Sequence, residues 1–423
     1  MAKPQEEAMP HRSQMTVGFT RATVLGALFA AAACASSPRA VPIPEVTVPP
    51  PEAMTVDLTR SFADAEGAFV VLLGNDTLGV ERFQRTGQVL EGQLLLRSPR
   101  TRLIRYQAGL GPGGRIASFE SSTQQLPRGT PSPTVRMELT TDSVIVRVPA
   151  NDTVRVQRFA ARGVAVPWLG SSYALAEAAV RHARQLGRDS VELLQIVPGA
   201  AQPTVTFLRR TPAGEWELGY FGDPLRLRVD AAGRVLSVDG MATTQKITVQ
   251  RALSLDFDRL VADFAARDAR GEGLGMLSGR DTVRATAANA QLTVDYGRPF
   301  ARGREIWGGV VPFGRVWRTG ANAATHLTTT RELEIGGTRI PAGTYTLWTI
   351  PHRDRTQLII NRNVGQWGTN YDQAGDVARI DVRRERLASP VEQFTIRIEP
   401  GPQGGVMRMM WDTEAIVVPF TVR

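Results

Sequence analysis

A regular alternation of apolar and polar residues runs through the first half of this sequence. Between about Thr55 and Gln250, runs such as "VLEGQLLLR", "VRMELTTDSVIVRV" and "TVTFLRR" place apolar residues at alternate positions. A period of two sends successive side chains to opposite faces of a β-strand. Turn-forming stretches, among them "GPGG" at 111–114 and "DAAGRV" at 230–235, separate these runs. The pattern predicts short antiparallel strands joined in meanders.

Two amphipathic segments interrupt the predicted strands. The segment "SSYALAEAAVRHARQLG" at 171–187 predicts a helix that begins after Ser171 or Ser172 and ends at Gly187. A second helix is predicted at roughly Asp256 to Arg270. The Gly-rich stretch "GEGLGMLSG" that follows it predicts a domain boundary.

The chain length also favours more than one domain. The sequence has 423 residues, whereas single hydrophobic cores seldom grow beyond about 250–300 residues. We therefore predict two β-rich domains, at 55–272 and 280–423. The first is expected to be a curved antiparallel sheet carrying a helix near 171–187, and the second a β-sandwich or flattened barrel.

The N-terminus reads as a targeting signal. After a start at Met1 or Met15 come positively charged residues and the apolar run "ATVLGALFAAAAC", which ends at Cys34. This run is too short for a membrane-spanning helix, which needs about 20 apolar residues. Its length and its small residues before the cysteine are typical of a signal peptide, predicted here at 1–34.

Cys34 is predicted to carry a lipid. It is the only cysteine in the sequence, and "AAAC" resembles a bacterial lipobox, in which the cysteine is acylated and becomes the mature N-terminus. The alternative is a secretory signal without lipid. A Pro-rich tether follows at 35–54. Ala35 stands where Asp would signal retention in the inner membrane, so we expect an outer-membrane anchor facing the periplasm.

The positive net charge does not indicate a nucleic-acid partner. The formal charge is +9, but the lysines are only Lys3 and Lys246, and the arginines are spread through strand-like segments. A nucleic-acid surface would gather its cations into one patch or stripe. The predicted partners are instead the membrane, through Cys34, and a small-molecule or glycan ligand.

A different style of sequence begins near Tyr296. The stretch from Tyr296 to Asn322, "YGRPFARGREIWGGVVPFGRVWRTGAN", is dense in Arg, Gly and Trp. Several short motifs occur in and after it: "VDYGRP" at 294–299, "GRE" at 303–305, "VPFGRVWRTGAN" at 311–322, "IPAGTYTLWTIP" at 340–351, "WGTNYD" at 367–372 and a late Trp411.

Together these motifs resemble a bacterial family catalogued as domain of unknown function 2911. The resemblance covers the C-terminal third of the chain, and several blocks occur in the same order and spacing. It implies an all-β fold and brings no established catalytic residue, substrate or cofactor.

The arginines of this stretch admit two interpretations. A charged side chain in a protein interior needs a partner, because stranded charge costs several kcal/mol or more. In the structural interpretation, carboxylates and loop carbonyls accept from the guanidinium groups. In the other interpretation, the side chains form a ligand site for a carboxylate, a phosphate or a sugar. The candidates for that site are Arg298, Arg304, Trp317, Arg318 and Asn322.

Catalytic signatures are few. We find no His or Cys spacing for a metal site, no phosphate-binding loop, no cofactor motif and no nucleophile elbow. His326, in "ANAATHLTTT", is a weak candidate for acid–base work. The sequence therefore favours a lipid-anchored envelope protein that binds a small polar or acyl ligand, or supports envelope assembly, without catalysis. The alternative is an envelope hydrolase acting on glycans or esters.

Overall fold

The structure is a computed structural model that describes residues 66–161, 163–220 and 223–423. The predicted signal peptide at 1–34, with Cys34, and the predicted tether at 35–54 lie outside the described residues. The mainly β class is confirmed. In the described part of the chain, strands predominate and the α-helices are α1 (Tyr173–Gln185) and α2 (Phe257–Ala269). Neither of these helices has the length and hydropathy needed to cross a bilayer.

The first sheet contains fifteen strands. They are β1 (Glu66–Leu73), β2 (Asp76–Thr86), β3 (Val89–Leu96), β4 (Arg102–Leu110), β5 (Ile116–Gln125), β6 (Val135–Leu139), β7 (Ser143–Ala150), β8 (Thr153–Ala160), β9 (Val164–Pro167), β10 (Ser190–Ile196), β11 (Thr204–Arg210), β12 (Trp216–Leu218), β13 (Leu225–Val229), β14 (Val235–Asp239) and β15 (Thr248–Ala252). From β1 the chain meanders to β8 at one edge, crosses to β9 at the other edge, and returns strand by strand to β15, which pairs with β1. The β9–β10 pairing is parallel, and the other neighbours pair antiparallel as the alternation predicts.

The first sheet curves around α1 and carries α2 on its outer face. Phe69 and Tyr106 point inward and share a hydrophobic cluster with α1. Val80, which is out of phase with them along the pleat, points outward and packs against Phe257 and Phe264 of α2. At these positions the sheet presents apolar side chains on both faces, and each face is covered by a helix.

Glu81 fixes the N-terminus of α1 from inside the sheet. Its carboxylate is fully buried and accepts hydrogen bonds from the backbone N–H groups of Tyr173 (2.7 Å) and Ala174 (3.0 Å). It also accepts from the hydroxyl groups of Tyr106 (2.6 Å) and Ser172. Burial raises the pKa of Glu81, and these four hydrogen bonds oppose that rise. The carboxylate satisfies N–H groups that a helix leaves unpaired at its start.

The second sheet contains nine strands. They are β16 (Ser278–Ala287), β17 (Ala290–Pro299), β18 (Thr325–Thr329), β19 (Leu333–Ile335), β20 (Thr338–Ile340), β21 (Gly343–Pro351), β22 (Thr356–Asn361), β23 (Asp376–Gly401) and β24 (Gly404–Val422). The long strand β23 pairs with β22 through its first residues and with β24 from Arg383 onward. Side chains from both ends of this sheet form one apolar cluster, so the sheet folds over on itself. The order of the described strands runs from β16 to β20 without closing, so the sheet is not a closed barrel.

The two sheets share no strand among the described residues and meet through loops. The turn between β1 and β2 lies against the loop after β17, where the Asn75 N–H donates to the carbonyl of Arg302 at 3.0 Å. Arg302 in turn forms an ion pair with Asp76. A second ion pair joins Arg315 to Asp223 at 3.3 Å. The predicted boundary between 272 and 280 begins after α2 and ends inside β16, which starts at Ser278, and it stays a prediction.

Candidate functional site

A cleft of about 940 Å³ lies where the two sheets meet. One wall is formed by the loop between β14 and β15, including Lys246, and by the end of the β1–β2 hairpin. The other wall is formed by residues between 315 and 322, in the Arg- and Trp-rich stretch, and by residues 368–371 of "WGTNYD".

Glycines allow the segments of the second wall to approach one another. A Cβ atom on Gly297 would lie 2.0 Å from the carbonyl oxygen of Ala321. One on Gly368 would lie 2.1 Å from Cδ of Arg318 and 2.5 Å from the carbonyl oxygen of Asn322. The Gly368 N–H donates to that same Asn322 carbonyl at 2.9 Å. The glycines of "VDYGRP" and "WGTNYD" are therefore needed for close backbone packing around Arg318.

Residues in the left-handed region of the backbone cluster around this cleft. Thr319 (φ 51°), Asn322 (φ 63°) and Lys246 (φ 54°) all have positive φ. Asn tolerates this region, but a β-branched residue such as Thr is strained there. The Thr325 hydroxyl donates to the Thr319 carbonyl at 2.7 Å and helps to hold the strained residue. Such strain persists where surrounding structure enforces it, and it often marks functional sites.

Arg318 has no polar partner in the described part of the chain. Its guanidinium forms no ion pair or hydrogen bond there, and its Nε atom is buried without an acceptor. Burial lowers the pKa of Arg318, which shows that the charged form is incompletely solvated at this position. The side chain remains charged, because an arginine is not deprotonated in a protein. The cleft therefore contains an uncompensated positive charge.

The pKa of Lys246 is lowered by other cations in the cleft. Its ammonium group donates to the carbonyl of Met241 at 2.8 Å. Burial is the main cause that lowers the pKa of Lys246. The positive charges of Arg315, Arg318 and Arg304 lower it further, and Asp223 raises it. These influences agree with the position of the four cations in the lining of one cleft.

The charges that line the cleft are strongly unbalanced. The charged residues among the described lining are Lys246, Arg304, Arg315, Arg318 and Asp223, and Asp223 is the partner of Arg315. Arg304 donates from Nε to the carbonyl of Ala301 at 2.9 Å, and the charges of Glu392 and Asp76 act on it without forming an ion pair among the described residues. Burial lowers the pKa of Arg304 as well. Three cationic side chains thus line the cleft without an ion-pair partner among the described residues, and such a site attracts anions.

Apolar and aromatic side chains form the rest of the lining. Trp317 is half-buried and stacks against Trp411, with ring centroids 5.9 Å apart and planes at 17°. Leu73, Leu78 and Val310 also line the cleft. A site with many apolar groups and a few charged ones is suited to an organic ligand that carries charge at one end.

The part of the chain that forms the second sheet is similar in sequence to a known family. Residues 278–420 match the family described as "Protein of unknown function (DUF2911)". The resemblance predicted from the motifs is confirmed. No curated protein matches the chain. The crystal structure of a DUF1089 family protein from Pseudomonas aeruginosa is similar over 38% of this chain and 89% of its own, with 14% identity and a TM-score of 0.28.

Four of the five residues predicted for a ligand site line the same cleft. Arg304, Trp317, Arg318 and Asn322 all lie there, within the DUF2911 match. Arg298 does not line it. The Arg298 guanidinium instead bonds to Asp281, to the carbonyl of Phe394 and to the hydroxyl of Thr395, at 3.1, 3.1 and 2.9 Å. Arg298 therefore fits the structural interpretation of these arginines, whereas Arg318 does not.

His326 lies on β18, outside the cleft lining. Its Nε2 accepts the N–H of Gly365 at 2.9 Å, and its Nδ1 lies 3.4 Å from the guanidinium of Arg280. Burial, followed by the charge of Arg280, lowers the pKa of His326 and favours the neutral ring. The cross-strand neighbour Asp295 forms its ion pair with Arg280. The contacts with Gly365 and Arg280 thus orient the His326 ring, and the Asp295 carboxylate beside it is engaged in the ion pair with Arg280.

Lys246 is the cleft residue that sequence reasoning missed as a site residue. It lies outside the Arg- and Trp-rich stretch and comes to the cleft only because β14 and β15 end beside that stretch. One signal was available, since it is one of only two lysines in a chain with 50 Lys and Arg residues.

The described residues contain no cluster of three or more His, Cys, Asp or Glu that could hold a metal ion.

Proposed function

We propose that this protein binds an anionic small molecule in the cleft between its two sheets and does so without catalysing a reaction. The unpartnered guanidinium of Arg318 carries the proposal. A partly buried charge without a partner lowers the stability of the folded protein. A bound anion would offset this loss by acting as the partner.

The other charges of the cleft support the same conclusion. Lys246 and Arg304 add positive charge, while Asp223 is already engaged by Arg315. A ligand that enters the cleft would replace lost hydration of these cations with direct hydrogen bonds, which are stronger when both groups are charged.

We also propose that the protein is a lipoprotein, anchored through Cys34 to the outer membrane and facing the periplasm. The proposal rests on the "AAAC" sequence at the end of the apolar run and on Ala35 after the cysteine. The Pro-rich segment at 35–54 would then tether the binding domain near the membrane surface.

Two fluorescent probes of similar shape test the anion site. The sulfonate probe 8-anilinonaphthalene-1-sulfonate carries one negative charge, and the neutral probe N-phenyl-1-naphthylamine carries none. We expect Arg318→Gln to weaken binding of the anionic probe at least about tenfold, as loss of a charge-assisted contact does. Binding of the neutral probe should change little.

Arg284→Gln is the matched control. Arg284 is an exposed residue of β16 outside the cleft lining, so this variant removes the same charge from another surface of the same region. It should bind both probes as the parent protein does. Equal binding of the anionic probe by the parent and the Arg318→Gln variant would contradict the proposed function.

A further inference from the structure

The number of unpaired cations restricts the anion that fits the cleft. Lys246, Arg304 and Arg318 line it, and none of them forms an ion pair with a carboxylate of the described residues. A carboxylate or a sulfonate would bring a single negative charge. A phosphate monoester brings about −1.5 to −2 at neutral pH, together with three acceptor oxygens. It compensates the site more fully than either monoanion.

The free donors of the cleft also match a phosphate. The Nε of Arg318 is buried without an acceptor among the described residues, and a planar guanidinium group can bind two phosphate oxygens at once. Arg304 uses Nε and one Nη for the carbonyls of Ala301 and Phe300, which leaves its other Nη free. Lys246 donates to only one described acceptor, Met241, although an ammonium group has three donors.

The remaining lining indicates what the phosphate is attached to. Leu73, Leu78, Val310 and Trp317 present apolar surface in the same cleft as the cations. Inorganic phosphate would leave that surface in water, whereas an ester with an apolar group would cover it. The volume of about 940 Å³ is sufficient for such a ligand.

We infer that the ligand is a phosphate monoester with an apolar body, held by Arg318, Arg304 and Lys246 at its phosphate and by the Leu73–Leu78–Trp317 side at its body. This inference rests on the proposed function of the cleft and narrows it to one chemical class. Two sources share this chemistry: a soluble phosphate ester, and a membrane lipid whose headgroup is a phosphate monoester.

Octyl phosphate and octanesulfonate separate this class from anions in general. Both have an eight-carbon chain and a tetrahedral head with three terminal oxygens, but the sulfonate is always a monoanion. Each is titrated against the bound anionic naphthalene probe, using the full chain with Cys34→Ala so that no lipid is attached. We expect octyl phosphate to displace the probe at a concentration at least about tenfold lower near neutral pH. Inorganic phosphate should displace it less well than octyl phosphate.

The pH dependence provides an internal control. The second pKa of a phosphate monoester is about 6, so octyl phosphate becomes a monoanion below that pH. Its advantage over octanesulfonate should then disappear, because the arginines and Lys246 keep their charge in acid. Arg318→Gln and Lys246→Gln should each reduce the advantage at neutral pH, and Arg284→Gln should not.

Vesicles identify the source of the ligand. Flotation with phosphatidylcholine vesicles containing phosphatidic acid, lost in Arg318→Gln, would assign the phosphate to a lipid. Displacement by octyl phosphate without flotation would assign it to a soluble ester, and both results support the inference. Equal displacement by octanesulfonate and octyl phosphate at neutral pH would overturn the inference while leaving the anion site intact. Failure of Arg318→Gln to weaken the anionic probe would overturn both.

Discussion

Substitution by Gln should lower the free energy of unfolding at Arg298 and leave it nearly unchanged at Arg318. Both arginines belong to one motif-rich stretch, but Arg298 uses its guanidinium for three hydrogen bonds and Arg318 uses its own for none among the described residues. Replacement by Gln keeps part of the aliphatic stem and removes the charge. The comparison therefore isolates what each charge contributes to folding.

The expected magnitudes follow from the partners. The side chains of Arg298 and Asp281 are 26% and 44% exposed, so water screens their ion pair and the lower end of the usual range applies. For Arg298→Gln we expect a loss of about 1.5–3 kcal/mol, the order found when a charged hydrogen-bonding group is removed. For Arg318→Gln we expect a change within about 1 kcal/mol, because no hydrogen bond among the described residues is lost and an unpaired charge leaves the interior.

Urea unfolding followed by tryptophan fluorescence measures both values, since Trp317 and Trp411 lie near the two arginines and Trp317 stacks on Trp411. The slopes of the transitions must agree between variants for the midpoints to be compared. A loss of about 3 kcal/mol or more for Arg318→Gln would show that Arg318 has a structural partner. That result would remove the basis of the proposed ligand site. An unchanged midpoint for Arg298→Gln would refute the assignment of Arg298 to structure.

Three further predictions concern other parts of the chain. Cys34→Ala should move the protein from the membrane to the soluble fraction, and unchanged sedimentation with membranes would refute the lipid anchor. Separation of the chain between Arg270 and Arg280 should leave two fragments that each unfold cooperatively, because each sheet has its own hydrophobic cluster. If neither fragment shows a cooperative transition, the boundary is refuted. Burial lowers the pKa of His326 below its unfolded value of about 6.5, so the unfolded state binds more protons and stability should fall as pH decreases from about 6.5 through the folded pKa. His326→Gln should reduce this acid sensitivity in urea unfolding, and an unchanged dependence on pH would contradict the role given to the ring.

The sequence predicted the elements of the fold through local patterns. Alternation in "VLEGQLLLR" corresponds to β3, and the amphipathic segment at 171–187 contains α1 with Ser172 as its N-cap. These features are readable because the period of a strand or helix and the chemistry of a cap depend on residues close in the chain. The ordered motifs after Tyr296 likewise predicted the match at 278–420, since spacing is a property of the sequence itself.

The tertiary structure determines which of the arginines have hydrogen-bonding partners and which do not. Arg298 and Arg318 lie in similar Gly-rich surroundings in the sequence. However, β23 brings Phe394 and Thr395 to Arg298, whereas Nε of Arg318 has no acceptor among the described residues. Lys246 joins Arg318 only because a loop of the first sheet lies beside the second. Whether a charge is compensated depends on which groups lie within a few ångströms of it, and for these residues those groups come from distant parts of the chain.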